Sequence, residues 1–328
     1  MTIRRQILKS LAMAAILPVA WTPLAAPAQE RLELATIVVG FPPGGATDTV
    51  ARMVAEGLSG TYADSAVVEN RDGAGGQIAA NYVKDQPADG SVFFFTPAFP
   101  MIIHPHLYDL PYDTLEDFVP VVTTHFGVLA FSVGPGVPED VETLEDFIAW
   151  AQDNPDEASF GGPVGGSQHF AGMMFAEAAG IDMPLIGYPG GAPSVTDALG
   201  GHVPAIVTPL AEVLPHAQEG SLRILAVTSQ ERSDLAPEIP SFHELGFEDV
   251  VFQDWAGMLA PAGTPPEVVQ RANEAVTQIV HSEEVSARMA DLGMEVRTET
   301  PESFAEILPE SYELYRSIIE DTGFELPE

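Results

Sequence analysis

No cysteine occurs anywhere in the 328 residues. Disulfides, thiolate metal sites and cysteine nucleophiles are thereby excluded, and stability has to come from a buried core. Cations are also scarce: 13 lysines and arginines stand against 48 aspartates and glutamates, a formal net charge of −35. After Lys9 the one lysine is Lys84. That balance excludes nucleic acid as a partner and leaves no basic patch for anionic lipid. The acids are dispersed rather than blocked, which reads as a solvated surface adapted to high salt, where screening relieves self-repulsion. An anionic ligand would have to be held by local dipoles against this global field. Long apolar runs are missing too. The apolar segment from Leu11, broken by Pro18 and Pro23, is too short to anchor the chain in a bilayer.

What that segment does carry is an export signal. Arg4, Arg5 and Lys9 precede it, and Ala26-Pro27-Ala28 closes it as an A-x-A cleavage site, so residues 1–28 read as a signal peptide. The Arg4-Arg5 pair fits a twin-arginine route and an ordinary secretory signal alike. The remainder, about 300 residues, is long enough for two domains of about 150 residues each.

The most informative feature present is a glycine loop that appears twice, each time leading into a helix. Phe41-Pro42-Pro43-Gly44-Gly45-Ala46-Thr47-Asp48 follows the apolar run Thr36–Val39. Tyr188-Pro189-Gly190-Gly191-Ala192-Pro193 repeats the pattern in the second half. Paired glycines let N–H groups turn toward a ligand, and a helix N-terminus behind them favours negative charge. Further apolar runs, at Ser91–Thr96, Val119–Thr123, Val128–Val133, Ala205–Val207, Ile224–Val227 and Ala256–Leu259, alternate with amphipathic stretches such as Asp48–Gly57 and Pro266–His281. Strands alternating with helices predict an α/β fold with largely parallel sheets, its last strand and two helices returning to the first domain.

Catalytic and metal chemistries find little support. Gly165-Gly166-Ser167-Gln168-His169 half-matches a hydrolase nucleophile elbow, but histidine replaces the closing glycine and no ordered acid and histidine follow. Ser167 fits better as a ligand donor or as the cap of the helix around Phe170. His104-Pro105-His106 offers two imidazoles without a third ligand nearby, so no metal is expected. Asp48 at a helix start reads as a cap rather than a general base. Neither glycine pair forms a dinucleotide or Walker fingerprint, so no cofactor is expected.

Taken in order, these strings resemble the periplasmic solute-binding proteins of tripartite tricarboxylate transporters, the Bug family. The resemblance rests on Phe41–Asp48 with Ala51-Arg52, Val68–Gly76, Pro87-Ala88-Asp89-Gly90 and Leu110–Asp113 leading to Asp117–Val121. It continues through Gly165–His169 with Ala171-Gly172, Tyr188–Pro193, Thr196–Gly201, Leu225–Ser229 and Leu259–Pro265, and so covers essentially all of the chain after the signal. It implies a two-domain Venus-flytrap fold, periplasmic and monomeric. Residues 29–131 plus 254–328 would form one lobe and 132–253 the other, with the ligand between them. It implies capture of a small organic carboxylate for membrane permease subunits; the same fold also serves as a ligand sensor, and an exported hydrolase is the remaining alternative. The implied first-lobe grip is Pro43, Gly44, Gly45, Ala46, Thr47 and Asp48. The second is Gly165, Gly166, Ser167 and His169, with Gly190, Gly191 and Ala192 nearby. Thr96, Pro97, Ala98 and Phe99 would shape the pocket, and Trp255 would lie against the ligand. Thr208-Pro209 stands where many relatives carry Asp-Asn, which implies a carboxylate without a neighbouring ammonium.

Overall fold

The computed structural model describes residues 31–324, and the expected signal peptide lies outside them. The first half runs β1 (Leu32–Val39), α1 (Ala46–Leu58), β2 (Ala63–Asn70), α2 (Gln77–Val83), β3 (Val92–Pro97), two single turns α3 (Phe99–Ile102) and α4 (His104–Leu107), and the long β4 (Phe118–Val133). Then come α5 (Leu144–Asp153), β5 (Phe160–Pro163), α6 (Ser167–Ala179), β6 (Leu185–Tyr188), α7 (Gly191–Leu199), β7 (Ala205–Pro209), α8 (Leu210–Gln218) and β8 (Arg223–Val227). The chain closes with β9 (Gln253–Pro261), α9 (Pro266–Val280), α10 (Glu283–Asp291), β10 (Glu295–Val296) and α11 (Pro301–Thr322).

The strands follow the order β2-β1-β3-β9-β4-β7-β5-β6, with β8 and β10 also paired to β4. The outer trios β2-β1-β3 and β7-β5-β6 are parallel, as strand–helix alternation predicts. The centre departs from that expectation. β9 is antiparallel to both β3 and β4, and β4 is antiparallel to β7 and β8. The reason is β4 itself. Residues Phe118 to Val128 pair with β9, and residues Leu129 to Val133 pair with β7, so one strand serves two sheets in succession. The apolar runs Val119–Thr123 and Val128–Val133 are therefore one element, interrupted by register shifts between Pro120 and Val122 and between Thr123 and His125.

Helix boundaries follow local chemistry. Ser282 caps α10 and Thr300 caps α11, each accepting an N–H from three residues on. Thr143 and Asp146 form a capping box at α5. One apolar cluster runs from Phe94 and Phe118 in the first half to Phe131, Phe147 and Phe175 in the second, and includes Phe304, Leu308 and Tyr315 of α11. A second cluster joins β1, α1 and α9 through Ile37, Val54 and Val276. Phe131 is the hub: wholly buried, its ring lies 4.9 Å from Phe147, 5.0 Å from Phe175 and 6.2 Å from Phe242. Truncation there leaves a cavity under the shared strand. Phe131→Ala should cost about 3–5 kcal/mol in urea unfolding, and a loss below about 1 kcal/mol would contradict this placement.

Candidate functional site

A cavity of about 390 Å³ lies where β4 changes partners. Its walls are His125, Gly127 and Leu129 of β4, Asp254, Trp255 and Ala256 of β9, and the start of α6 at Gly165, Gly166, Ser167 and Gln168. Pro97, Phe99 and His104 close it from the first half, and Pro163, Val164 and Pro209 from the second. Among the described residues, none that lines it is lysine or arginine.

The loop into α6 and the loop into α1 are built alike. In each, a glycine with positive φ (Gly44 at +85°, Gly165 at +72°) precedes an extended glycine that caps the helix, Gly45 or Gly166. The first glycine's N–H is satisfied by the side chain four residues on. Gly44 donates to Asp48 Oδ2 at 2.9 Å, and Gly165 donates to His169 Nδ1 at 3.3 Å. That bond holds the glycine turn against the helix, leaving the first-turn N–H groups pointing out of the helix N-terminus. The sequence pattern pairs Gly44-Gly45 with Gly190-Gly191; the backbone pairs it with Gly165-Gly166. Gly190 has the extended values φ 168° and ψ 179°, and that loop is secured by Tyr188 donating to Asp197 at 2.8 Å.

Among the expected ligand residues, the structure brings Gly165, Gly166, Ser167 and Trp255 together on the cavity wall. Thr96 and Ala98 are wholly buried and flank the lining residue Pro97. Thr208 is wholly buried beside Pro209, its hydroxyl without a partner. His169 lies behind the wall, stacked at 5.7 Å on Phe170 and edge-on to Phe324. Pro43, Gly44, Gly45, Ala46, Thr47 and Asp48, like Gly190, Gly191 and Ala192, do not line this cavity. Phe41, at the root of the first loop, packs edge-on to Phe99 of the wall at 5.7 Å. Asp48 is 2 % exposed and fully engaged, receiving Arg52 Nε at 2.8 Å and Asn70 Nδ2 at 2.7 Å as well as Gly44. Burial alone would raise its pKa, but bonds from Arg52, Gly44 and Asn70 outweigh it and hold the carboxyl at about 2. Asp48 thus works as an anchor for the loop.

Ser167 does not cap α6. Gly166 holds that position, and the Ser167 hydroxyl donates instead to Asp254 Oδ2 across the cavity. Tyr315 of α11 donates to the other oxygen, Oδ1, at 3.0 Å. Sequence reading missed Asp254. The available signal was an acid set directly before Trp255 and the apolar run that follows it. It also missed His104 and His125 as wall residues, since their neighbours along the chain suggested only a loop and a gap between strands. Burial pushes His104, His125 and His169 each down to about 4, so all three are neutral at physiological pH. The walls therefore carry no fixed positive charge, and anion binding falls to N–H dipoles and neutral donors.

The two-sheet fold with a ligand-sized cavity at the crossing strands is the two-lobe architecture of periplasmic binding proteins, to which its close structural neighbours belong. Residues 50–324 match the family described as the tripartite tricarboxylate transporter family receptor, and the chain belongs to that family. It is 32% identical over 293 residues to Protein BugT of Bordetella pertussis, covering 88% of this chain and 89% of that protein. The periplasmic binding protein BugD superposes with a TM-score of 0.71 at 28% identity, over 89% of this chain and 98% of BugD. R. palustris Rpa4515, solved with adipate, superposes with a TM-score of 0.74 at 29% identity, over 90% of this chain and 98% of that one.

Because the three imidazoles sit near 4 in the fold and near 6.5 when unfolded, the unfolded chain binds more protons between those values. Their contribution to stability is whole above pH 6.5 and is lost as the pH falls toward 4. Calorimetric unfolding near pH 5.2 should therefore take up protons, and His125→Gln should lower the uptake by about one proton. An unchanged uptake would mean that His125 titrates normally in the fold.

Proposed function

We propose that this chain is an exported receptor that captures a small organic carboxylate in the β4–β9 cavity and delivers it to tripartite tricarboxylate-type permease subunits. The observation that carries the reading is the α6 N-terminus, Gly166-Ser167-Gln168, opening into a ligand-sized cavity without lysine or arginine. Unsatisfied N–H groups there donate to a carboxylate through charge-assisted bonds, roughly twice as strong as neutral ones. The adipate held by the R. palustris relative supports the same ligand chemistry.

In this reading residues 29–131 and 254–328 form one lobe and 132–253 the other, hinged where β4 passes from β9 to β7. Closure then draws the exposed loop Pro43–Thr47, and the Gly190–Ala192 loop, toward the ligand as further grips. A ligand shifts such an equilibrium only by its differential affinity for the closed state, so it must touch both lobes. The protein acts as a monomer in the periplasm, binding rather than transforming its cargo, and needs no cofactor.

Thermal-shift titration in high salt, with adipate, succinate, citrate and benzoate against their amides, tests the class of ligand. One carboxylate group should stabilise the protein saturably while its amide does not. Gly166→Val tests the position. Gly166 has ordinary extended angles, and a Cβ there crowds the flexible end of Gln168 at 2.8 Å and meets Pro163 at an ordinary 3.7 Å, so the fold survives while the cavity fills. Affinity should fall at least about tenfold with little change in melting temperature. A silent acid screen, or undiminished affinity in Gly166→Val, would refute the reading.

A further inference from the structure

Among the described residues, Asp254 is the one acid on the cavity wall. Its two oxygens each accept one hydroxyl proton, from Ser167 and from Tyr315. This is the pattern of an ionised acceptor, with one donor on each oxygen and lone pairs left over on a residue that lines the cavity. Yet no countercharge reaches it: no wall residue is lysine or arginine, and both wall imidazoles are neutral. A buried carboxylate without a cation is costly, and burial raises its proton affinity accordingly. A bound anion placed on the α6 N-terminus would add a like charge beside Ser167, the residue that already donates to Asp254. The cavity as built is therefore one positive charge short.

We propose that the ligand supplies it: Asp254 is the counter-ion for an ammonium on the cargo, which makes the preferred ligand an amino acid rather than a plain carboxylic acid. This rests on the carboxylate-receptor reading and narrows it. The ligand carboxylate takes the N–H groups of Gly166 and Gln168, and its ammonium takes the free lone pairs of Asp254 across the cavity. Trp255 lines the same wall with its indole N–H buried and without a partner, and its ring or that of Phe99 offers the ammonium an aromatic face. The acid that Thr208 does not provide thus comes from β9 instead.

Matched pairs test it by isothermal titration: L-aspartate against succinate, L-glutamate against glutarate, and L-alanine against propionate. These are run with wild type and Asp254→Asn, each protein first stripped of cargo by unfolding and refolding. In at least one pair the amino member should bind wild type about tenfold or more tightly than its partner. Asp254→Asn should erase that preference by weakening the amino member about tenfold or more, while the plain acid, relieved of a like charge, binds no more weakly than to wild type. Equal or tighter binding of the plain acids by wild type overturns the inference and leaves the receptor reading standing; this comparison does not depend on the variant folding. An amino preference that persists in Asp254→Asn overturns it as well. Binding of none of the six acids overturns this inference, and the receptor reading is then decided by the adipate, citrate and benzoate arms of the thermal-shift screen.

Discussion

One sixteen-residue strand belongs to both halves of the molecule, and the cavity lies where it changes partners. β4 cannot be satisfied by either sheet alone. Up to Val128 its N–H and C=O groups are taken by β9, and from Leu129 onward by β7 and β8. A strand of this kind fixes the two sheets to a common axis at the exchange point. The residues around that point, His125, Gly127 and Val128, are wall residues. The cavity wall and the exchange of partners thus share the same short stretch of backbone.

Around this crossing, the protein places its donors with repeated local chemistry. The loops into α1 and α6 use the same solution, a left-handed glycine locked by the side chain four residues on. Asp48 serves one and His169 the other. The choice of locking group has electrostatic consequences. Asp48 needs Arg52 and Asn70 to stay ionised in a buried position, whereas His169 accepts as a neutral ring packed among phenylalanines. Only the second loop opens into the cavity, and it does so without bringing a charge with it.

Much of this was legible from the chain. The glycine loops, the alternation of strands and helices, and the wall positions Gly165, Gly166, Ser167 and Trp255 follow from local composition and from the family strings. Two features were not. Thr124-His125-Phe126-Gly127 reads as a break between strands because polar and small residues interrupt the apolar run, yet pairing with β9 carries the strand straight through it. Tertiary hydrogen bonding overrides local propensity there. The Ser167–Asp254 contact joins residues 87 apart in sequence, and nothing local to either one announces the other. The same holds for Tyr315, which reaches Asp254 from the last helix.

The central claim is that cargo binding draws the two lobes together about β4. The absence of cysteine makes this directly measurable, since spin labels go only where cysteines are introduced. Glu56→Cys on α1 and Glu219→Cys after α8 place one label on each lobe, both at exposed positions. Pulsed electron–electron distance measurements, with and without a carboxylate that binds, report the separation. The account predicts a shorter and narrower distance distribution at saturation. An unchanged distribution, with binding confirmed on the same labelled protein, would contradict it.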